Sequence, residues 1–496
     1  MSQLLVFLQT DCPTCRLIMP YLNRLATAGV SVLGLSQDDA ERTQAFAIET
    51  SASFAIELDG GYERSKRMGV ITVPTLCVVD DSGRALREEP GFDKRALNEI
   101  AAWFGQPAVA SPYDGAPESK PGCSSRHLEV ETADEAAPAL NLYSTRGTAA
   151  SVVTVADGDD AYEHCFRVFG DGLPVVPPTT DRVERMLSAS ALDRHEIIGR
   201  IPPCYGEATV EKIAANAVMA GCLPEMMQVL IPLVRAVCDE RFNAHGVQAT
   251  THFAAPLIVI NGPIRHALQF NARQNLFSNV ARANSTLGRA LQLILLNLGG
   301  ARPDGIDMSA LGNPGKFSFC IAENEEESPW DPLHVEHGFT RAQSALTLFA
   351  CEAPHGVSEH TARTARGVLK AIRYSLATVW SYRSCLNFEA MVILCPEHVK
   401  TIHRDGWSKQ DVRNWLFENT GIPLRCYQDD SEGEGTQLRA NYQEIIIDGE
   451  PCYQKFRAPD QIKIVVAGGT AGKFSAVLGS WSSGPRGSQM VTYPIV

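Results

Sequence analysis

One short stretch limits what the beginning of this chain can fold into: Thr10-Asp11-Cys12-Pro13-Thr14-Cys15. It follows an apolar run at residues 4–8 and precedes an amphipathic run at residues 16–28. This order predicts a strand, a Cys-x-x-Cys turn and a helix. A thiol at a helix N-terminus faces free backbone N–H groups and the positive end of the helix dipole, and both favour the nucleophilic thiolate. We therefore predict that Cys12 is the attacking thiol and Cys15 the resolving thiol.

A zinc site is the first alternative for two cysteines at this spacing. The first 110 residues contain no second Cys-x-x-Cys or His-x-x-His pair that would complete such a site. The segment Val73-Pro74-Thr75 continues into an apolar strand pattern at residues 76–79 and a turn at residues 80–83. With these motifs and the Cys pair, residues 1–106 resemble a thioredoxin-fold domain.

In that family a cis-proline packs against the two cysteines, so the resemblance implies this role for Pro74. The chain departs from the family pattern at two points. Asp11 stands where a tryptophan is common, and its carboxylate should oppose thiolate formation at Cys12. The inner dipeptide is Pro13-Thr14 rather than Gly-Pro, which leaves the redox potential open. A domain that only docks partners is the alternative to a redox role.

The composition excludes several classes of protein. The chain has 496 residues, of which 45% are hydrophobic, and a net charge of −13, so we expect a globular protein with no nucleic-acid or anionic-membrane partner. The N-terminus lacks the pattern of a signal peptide, and no apolar run reaches the roughly 20 residues of a membrane span. Fourteen cysteines in this length are too sparse for a disulfide scaffold. These features predict a cytoplasmic protein with mostly reduced thiols.

Changes in composition predict the domain organisation. Residues 107–150 contain Pro107, Pro112, Pro117 and Pro121 among Gly, Ser and acidic residues, which is typical of a flexible linker. The predicted fold class is therefore α/β: a thioredoxin-like domain at 1–106, the linker at 107–150 and a larger α/β domain at 151–496. The linker carries Cys123, which is either a shuttle between sites or a spectator thiol.

Two further cysteines are candidate reactive thiols in the larger domain. Cys222 lies in Ala220-Gly221-Cys222-Leu223-Pro224, a predicted tight turn between two amphipathic helices and near a helix N-terminus. Cys204 follows two prolines at 202 and 203. Each could equally be an inert buried cysteine.

A polar cluster is the candidate acid–base site of the larger domain. It combines Glu323 and His334 with Lys316 and His337, all in loops rich in Gly and Pro. Glu323 and the two histidines could also bind a metal, and a solvated acidic loop is the alternative. We assign no metal and no cofactor.

Strand–turn–helix patterns recur in this domain. Two of them place a proline after an apolar run, at positions 263 and 396, which indicates a duplicated α/β unit. A third ends in the turn Gly468-Gly469-Thr470-Ala471-Gly472, which either forms a plain tight turn or holds an anion.

Residues 151–496 resemble a bacterial family without an assigned reaction, found alongside small proteins that carry a Sec/Cys-Gly-Ser-Cys motif. The resemblance is carried by the segment at 171–179, by Asn261-Gly262-Pro263 and by Ala467-Gly468-Gly469. It implies that this domain works with a redox-active thiol or selenol module.

The sequence predicts a thiol–disulfide oxidoreductase in which the Cys12–Cys15 module supplies reducing equivalents to the fused α/β domain. The expected partners are a small, sulfur-containing substrate and a thiol or disulfide reductase, and the expected assembly is a homodimer. One alternative is a lyase or hydrolase that cleaves carbon–sulfur or carbon–metal bonds, with a regulatory thioredoxin-like module. A binding protein is another.

Overall fold

The computed structural model describes residues 3–70, 72–81, 83–111, 114–120, 122–126, 140–141, 149–150, 154–155, 160–303, 305–379, 381, 385–386, 389–427, 443–482 and 487–496, with backbone alone at 123–124, 140–141 and 154–155. The chain divides into two compact units, Met1–Ala136 and Ala137–Val496. Each unit has its own sheets and its own hydrophobic core.

The first unit alternates strands and helices along the chain. Its described strands are β1 (Gln3–Leu8), β2 (Val32–Ser36), β3 (Ala55–Leu58), β4 (Thr72–Val73), β5 (Thr75–Val79), β6 (Ala85–Pro90), β7 (Phe92–Asp93), β8 (Ser119–Lys120) and β9 (Cys123–Ser124). Its described helices are α1 (Pro13–Thr27), α2 (Ala40–Glu49), α3 (Glu63–Arg67) and α4 (Lys94–Trp103).

A mixed sheet in the order β3-β2-β1-β5-β6 forms the centre of this unit. β1 pairs in parallel with β2 and antiparallel with β5, so Val6 faces Gly34 on one side and Leu76 on the other. A central strand covered on both faces is expected to be apolar along its length, as β1 is. The apolar stripe of α1, including Ile18 and Leu22, joins the same core.

Residues 107–126, which we call the arm, fold onto the first unit. β8 pairs with β7, and β9 pairs with β4. Nζ of Lys94 lies 2.9 Å from a carboxylate oxygen of Asp114. The first unit therefore extends past the predicted domain end at residue 106, and the described part of the predicted linker up to residue 126 is structured. Its proline-rich composition gave no sign of this, because the two-residue strands are held by backbone hydrogen bonds.

The second unit contains more elements than the first. Its described strands are β10 (Leu140–Asn141), β11 (Thr154–Val155), β12 (Ile197–Ile201), β13 (Gly206–Thr209), β14 (Ala255–Asn261), β15 (Cys320–Ala322), β16 (Ser344–Cys351), β17 (His355–Ser358), β18 (Ala390–Leu394), β19 (Gly421–Pro423), β20 (Glu444–Ile447), β21 (Glu450–Gln454), β22 (Ile462–Val466), β23 (Phe474–Gly479) and β24 (Val491–Ile495). Its described helices are α5 (Ala161–Phe169), α6 (Thr180–Leu187), α7 (Val210–Ala220), α8 (Met227–Val237), α9 (Ala244–Ala249), α10 (Ile264–Ala267), α11 (Arg282–Asn297), α12 (Leu333–Glu336), α13 (Ala365–Thr378), α14 (Pro396–Arg404) and α15 (Lys409–Asn419).

Two four-stranded sheets, β15-β14-β16-β24 and β17-β23-β18-β22, pack face to face in this unit. Alternate residues of each strand divide between two cores, because successive side chains point to opposite faces. Leu257 of β14 packs with Met391 of β18 between the sheets. Ile258 packs with α7, α8 and α11, and Val392 packs with α13, α14 and α15. The second unit is therefore a helix–sheet–sheet–helix sandwich.

The two sheets share one topology, which supports the predicted duplication. In each, a central strand (β14 or β18) has a parallel neighbour (β15 or β22) and an antiparallel neighbour (β16 or β23). The fourth strands are exchanged, since β17 follows β16 but pairs with β23, whereas β24 follows β23 but pairs with β16. Among the described residues, no helix is both long and apolar enough to cross a membrane.

Candidate functional site

Cys12 and Cys15 lie together at the start of α1. Cys12 is the N-cap residue and Pro13 occupies the first turn, where its missing N–H costs no hydrogen bond. The backbone N–H of Cys15 donates to Sγ of Cys12 at 3.3 Å, and the N–H of Gln9 donates to Sγ of Cys15 at 3.4 Å. These donors stabilise negative charge on sulfur. Cys12 is 2% exposed and Cys15 is fully buried, so the attacking thiol is the more accessible of the two.

Pro74 is placed beside this pair by the segment that precedes it. The Val73–Pro74 peptide bond is cis, as the resemblance implied. The thiol of Cys12 donates to the carbonyl oxygen of Val73 at 3.4 Å. The structure thus brings Cys12, Cys15 and the Pro74 segment into one site.

The arm borders the same site. A Cβ atom at Gly122 would lie 2.4 Å from the carbonyl oxygen of Val73, the same atom that accepts from Cys12. The strand register places Cys123 opposite Val73, and the side chain of Cys123 lies outside the described residues. The glycine is therefore required by close backbone approach next to Cys12.

Arg126, at the end of the arm, changes the predicted effect of Asp11. Its Nη2 atom lies 2.7 Å from Oδ2 of Asp11 and 2.8 Å from Oδ1 of the buried Asp38. The guanidinium offsets the carboxylate charge that would otherwise oppose thiolate formation at Cys12. This contact spans 115 residues of sequence, so the motif alone could not reveal it.

Cys222 and Cys204 do not form a reactive pair. Cys222 follows the C-terminal glycine of α7 and donates to the carbonyl oxygen of Thr286 in the first turns of α11, and burial raises its pKa to about 12. Cys204 is exposed beyond the other end of α11, where its N–H donates to the carbonyl of Gly299, and partial desolvation raises its pKa. The two thiols are separated by roughly 20 Å of helix, given a rise of about 1.5 Å per residue. Their environments favour thiol over thiolate, which agrees with the alternative of inert cysteines, and a reactive role for either stays a prediction.

Glu323 is fully buried, and its carboxylate is hydrogen-bonded to other residues of the second unit. Its carboxylate accepts hydrogen bonds from Nδ2 of Asn261 at 2.7 Å and from the N–H of Leu333 at 2.8 Å. It also accepts a longer one, at 3.4 Å, from the N–H of Val466. Burial raises the pKa of Glu323. These bonds join β14, α12 and β22, which is a structural connection between the two sheets.

His334 lies in α12 and is fully buried. Its Nε2–H donates to the carbonyl oxygen of Thr340, and burial lowers its pKa, so the imidazole is neutral at neutral pH. Lys316 pairs with Asp307 rather than with Glu323. Among the described residues, no group of three or more His, Cys, Asp and Glu side chains could hold a metal ion. The predicted acid–base cluster is therefore not assembled as an accessible site.

One polar cluster that the sequence reading missed lies at the end of β18. Cys395 is the N-cap residue of α14, and His398 follows three residues later. Nδ1 of His398 lies 2.7 Å from Oγ of Ser475, and the N–H of Cys395 donates to the same oxygen at 3.1 Å. The signal that could have found it is the spacing Cys-Pro-x-His after an apolar strand, the counterpart of Cys-Pro-x-Cys at 12–15.

Comparison with known proteins identifies the first unit. Residues 2–102 match the Redoxin family. The thiol-disulfide oxidoreductase ResA of Bacillus thuringiensis subsp. konkukian is 32% identical over 90 residues, which is 17% of this chain and 52% of that protein. The thiol:disulfide interchange protein DsbE of Escherichia coli K12 is 33% identical over 76 residues, or 15% of this chain and 41% of that protein. This chain thus spans about half the length of the curated relatives it matches.

A comparison with solved structures also finds similar proteins. StoA from Bacillus subtilis is 20% identical, with a TM-score of 0.19, and the match covers 21% of this chain and 82% of StoA. Residues 2–102 are a Redoxin domain of thioredoxin-like fold with thiol–disulfide oxidoreductase relatives. The predicted fold class, a thioredoxin fold joined to a larger α/β region, is confirmed. The resemblance stated for residues 151–496 stays a prediction.

Proposed function

We propose that this protein is a thiol–disulfide oxidoreductase in which Cys12 and Cys15 reduce a small, sulfur-containing substrate handled by the second unit. The observation that carries the proposal is the position of Cys12, as N-cap of α1, with the N–H of Cys15 donating to its sulfur. The Redoxin match over the same residues supports it.

The reaction would proceed in two exchanges. The Cys12 thiolate attacks one sulfur of a disulfide, forms a mixed disulfide and releases the other sulfur as a thiolate, which takes up a proton. The Cys15 thiolate then attacks Sγ of Cys12 and releases the second substrate sulfur. Two electrons pass from the dithiol to the substrate, and a reductase or small thiol must reduce the Cys12–Cys15 disulfide before the next cycle. The reductase partner, the homodimer and the cytoplasmic location all stay predictions.

The test is reduction of a small disulfide by the full-length protein in the presence of excess dithiol. Cys12→Ser should reduce the rate at least a hundred-fold, because no other two cysteines of the sequence have the Cys-x-x-Cys spacing that lets one thiol resolve the mixed disulfide of the other. Cys426→Ser is the matched control, since Cys426 is exposed and lies in the second unit. Full activity in Cys12→Ser would refute the proposal and favour a binding role for the first unit.

A further inference from the structure

Cys395 occupies the same local position as Cys12. Each cysteine follows an apolar strand and is an N-cap residue in extended conformation, with φ −80° at Cys12 and φ −70° at Cys395. Each is followed by a proline in the first helical turn and, three residues on, by a side chain that can interact with sulfur. Both cysteines thus stand at the start of a helix, where the sulfur of Cys12 accepts a cap hydrogen bond from a backbone N–H and that of Cys395 does not.

His398 is oriented toward the sulfur by a second hydrogen bond. Its Nε2–H donates to the carbonyl oxygen of Glu359 at 2.9 Å, and a carbonyl can only accept, so Nε2 carries a proton. Nδ1 is then the nitrogen that faces Oγ of Ser475 and can take up the proton of the Cys395 thiol. Ser475 and the backbone of His398 lie beside the same sulfur and act to lower the pKa of Cys395, although no backbone N–H of α14 forms a cap hydrogen bond to it.

These contacts outweigh the effect of burial. Burial alone would raise the pKa of Cys395, yet the hydrogen bonds and charge of His398 bring it below the ordinary value. Burial likewise acts to lower the pKa of His398, and the bond to Cys395 raises it above the ordinary value. At other buried cysteines burial decides the outcome, and it raises the pKa of Cys165 and Cys238 to about 11.

We propose that Cys395 is a second reactive thiolate, paired with the His398 imidazolium, that forms a mixed disulfide with a small disulfide substrate at the C-terminal edge of β18. The sulfur attacks one sulfur of the substrate, the substrate S–S bond breaks, and the leaving thiolate takes the proton from Nδ1 of His398. One disulfide is consumed and one is formed, so no further oxidant is required.

Access to Cys395 is as limited as access to Cys12. Cys395 is 3% exposed and Cys12 is 2% exposed, so low exposure does not distinguish the two sulfurs. Because so little of the sulfur is exposed, the substrate that we propose is a small disulfide rather than a folded protein. Reduction of the mixed disulfide by Cys12 would rest on the proposed function, whereas the reactivity of Cys395 does not.

The test measures alkylation by iodoacetamide, peptide by peptide, with mass spectrometry. It uses full-length protein carrying Cys12→Ser and Cys15→Ser, so its outcome is independent of the proposed function. Cys395 should react at least about ten-fold faster than Cys222, although Cys222 is more exposed at 7%. His398→Gln should slow Cys395 about ten-fold and leave the other cysteines unchanged. The small probe 2-hydroxyethyl disulfide should form a mixed disulfide at Cys395.

Two outcomes would overturn the proposal. One is a Cys395 that reacts no faster than Cys222 in the folded protein, a comparison that requires no substitution at position 398. The other is an unchanged Cys395 rate in a folded His398→Gln protein, which would show that the imidazole does not hold the thiolate.

Discussion

The turns at Cys12 and Cys395 have the same layout and differ in the residue three positions after the cysteine. Both place a cysteine at a helix N-cap, a proline next to it and an interacting residue three positions on. In the first unit that residue is Cys15, whose backbone N–H donates to Sγ of Cys12. In the second it is His398, which is fixed by Glu359 and Ser475.

The difference separates two kinds of sulfur chemistry. A cysteine at the third position can attack a mixed disulfide and release the substrate, so the pair can turn over. A histidine at the third position can hold a thiolate and protonate a leaving group, but it cannot form a disulfide. We therefore propose electron transfer at the Cys12–Cys15 turn and adduct formation at Cys395.

The largest expected effect comes from making the second turn like the first. His398→Cys should allow a disulfide between positions 395 and 398, because it gives this turn the Cys-x-x-Cys spacing at a helix N-cap that Cys12 and Cys15 have. In protein that also carries Cys12→Ser and Cys15→Ser, mild oxidation should remove two hydrogens from most molecules in mass spectrometry, and dithiothreitol should restore them. His403→Cys, at the other end of α14, is the control and should give no such link. Absence of the disulfide in a folded His398→Cys protein would show that the two turns are not equivalent.

A pH profile should distinguish Cys395 from an ordinary thiol. The pKa of Cys395 is lowered and that of His398 is raised, so each group favours the charged form of the other, and the thiolate is lost as the pH falls through the pKa of Cys395. Hydrogen bonds from the N–H of Ala362 and from Thr361 lower the pKa of the neighbouring Glu359 carboxyl, so its charge is constant over this range.

From pH 9 to pH 7 the alkylation rate of Cys395 should fall less than about ten-fold. A cysteine in a short unstructured peptide should lose roughly thirty-fold over this range, because its pKa is about 8.5. A Cys395 profile parallel to that of the peptide would contradict the ion pair.

The smallest expected effect concerns the arm. Arg126→Gln leaves the Asp11 carboxylate unpaired next to Cys12, and the alkylation of Cys12 should slow about two- to five-fold. The effect is modest because the Asp11 side chain is 66% exposed. Adding Asp11→Asn to Arg126→Gln should restore the alkylation rate of Cys12. The control is Arg95→Gln, at an exposed arginine of the same unit, which should leave that rate unchanged. Faster alkylation in Arg126→Gln would show that the arm shields Cys12 rather than tuning its charge.

Local motifs were readable from the sequence, and distant contacts were not. Cys12, Cys15 and Pro74 could be predicted because the spacing of a strand, a turn and a helix is written in consecutive residues. The tight turn before Cys222 was also readable, and Gly221 does end α7 with φ +85°. The burial of Cys222 could not be predicted from the sequence, because it depends on α11, more than sixty residues later.

The missed cluster at Cys395 shows the same limit. Its Cys-Pro-x-His spacing was visible in the sequence, but the residue that orients His398 is Ser475, 77 positions away. The arm was missed for a related reason, since Pro and Gly predict a linker while the pairing of β9 with β4 depends on backbone alone.

The most direct test of the proposed attack by Cys12 is to identify the mixed disulfide that the Cys15→Ser protein forms. Removing the resolving thiol should trap whatever Cys12 attacks, and peptide mass spectrometry of protein purified without reductant identifies the partner. We predict that Cys12 is found in a mixed disulfide, with a small thiol, a partner protein or a cysteine of this chain such as Cys123 or Cys395. If Cys12 stays a thiol after challenge with a small disulfide, Cys12 is not the attacking residue and the proposed function is wrong.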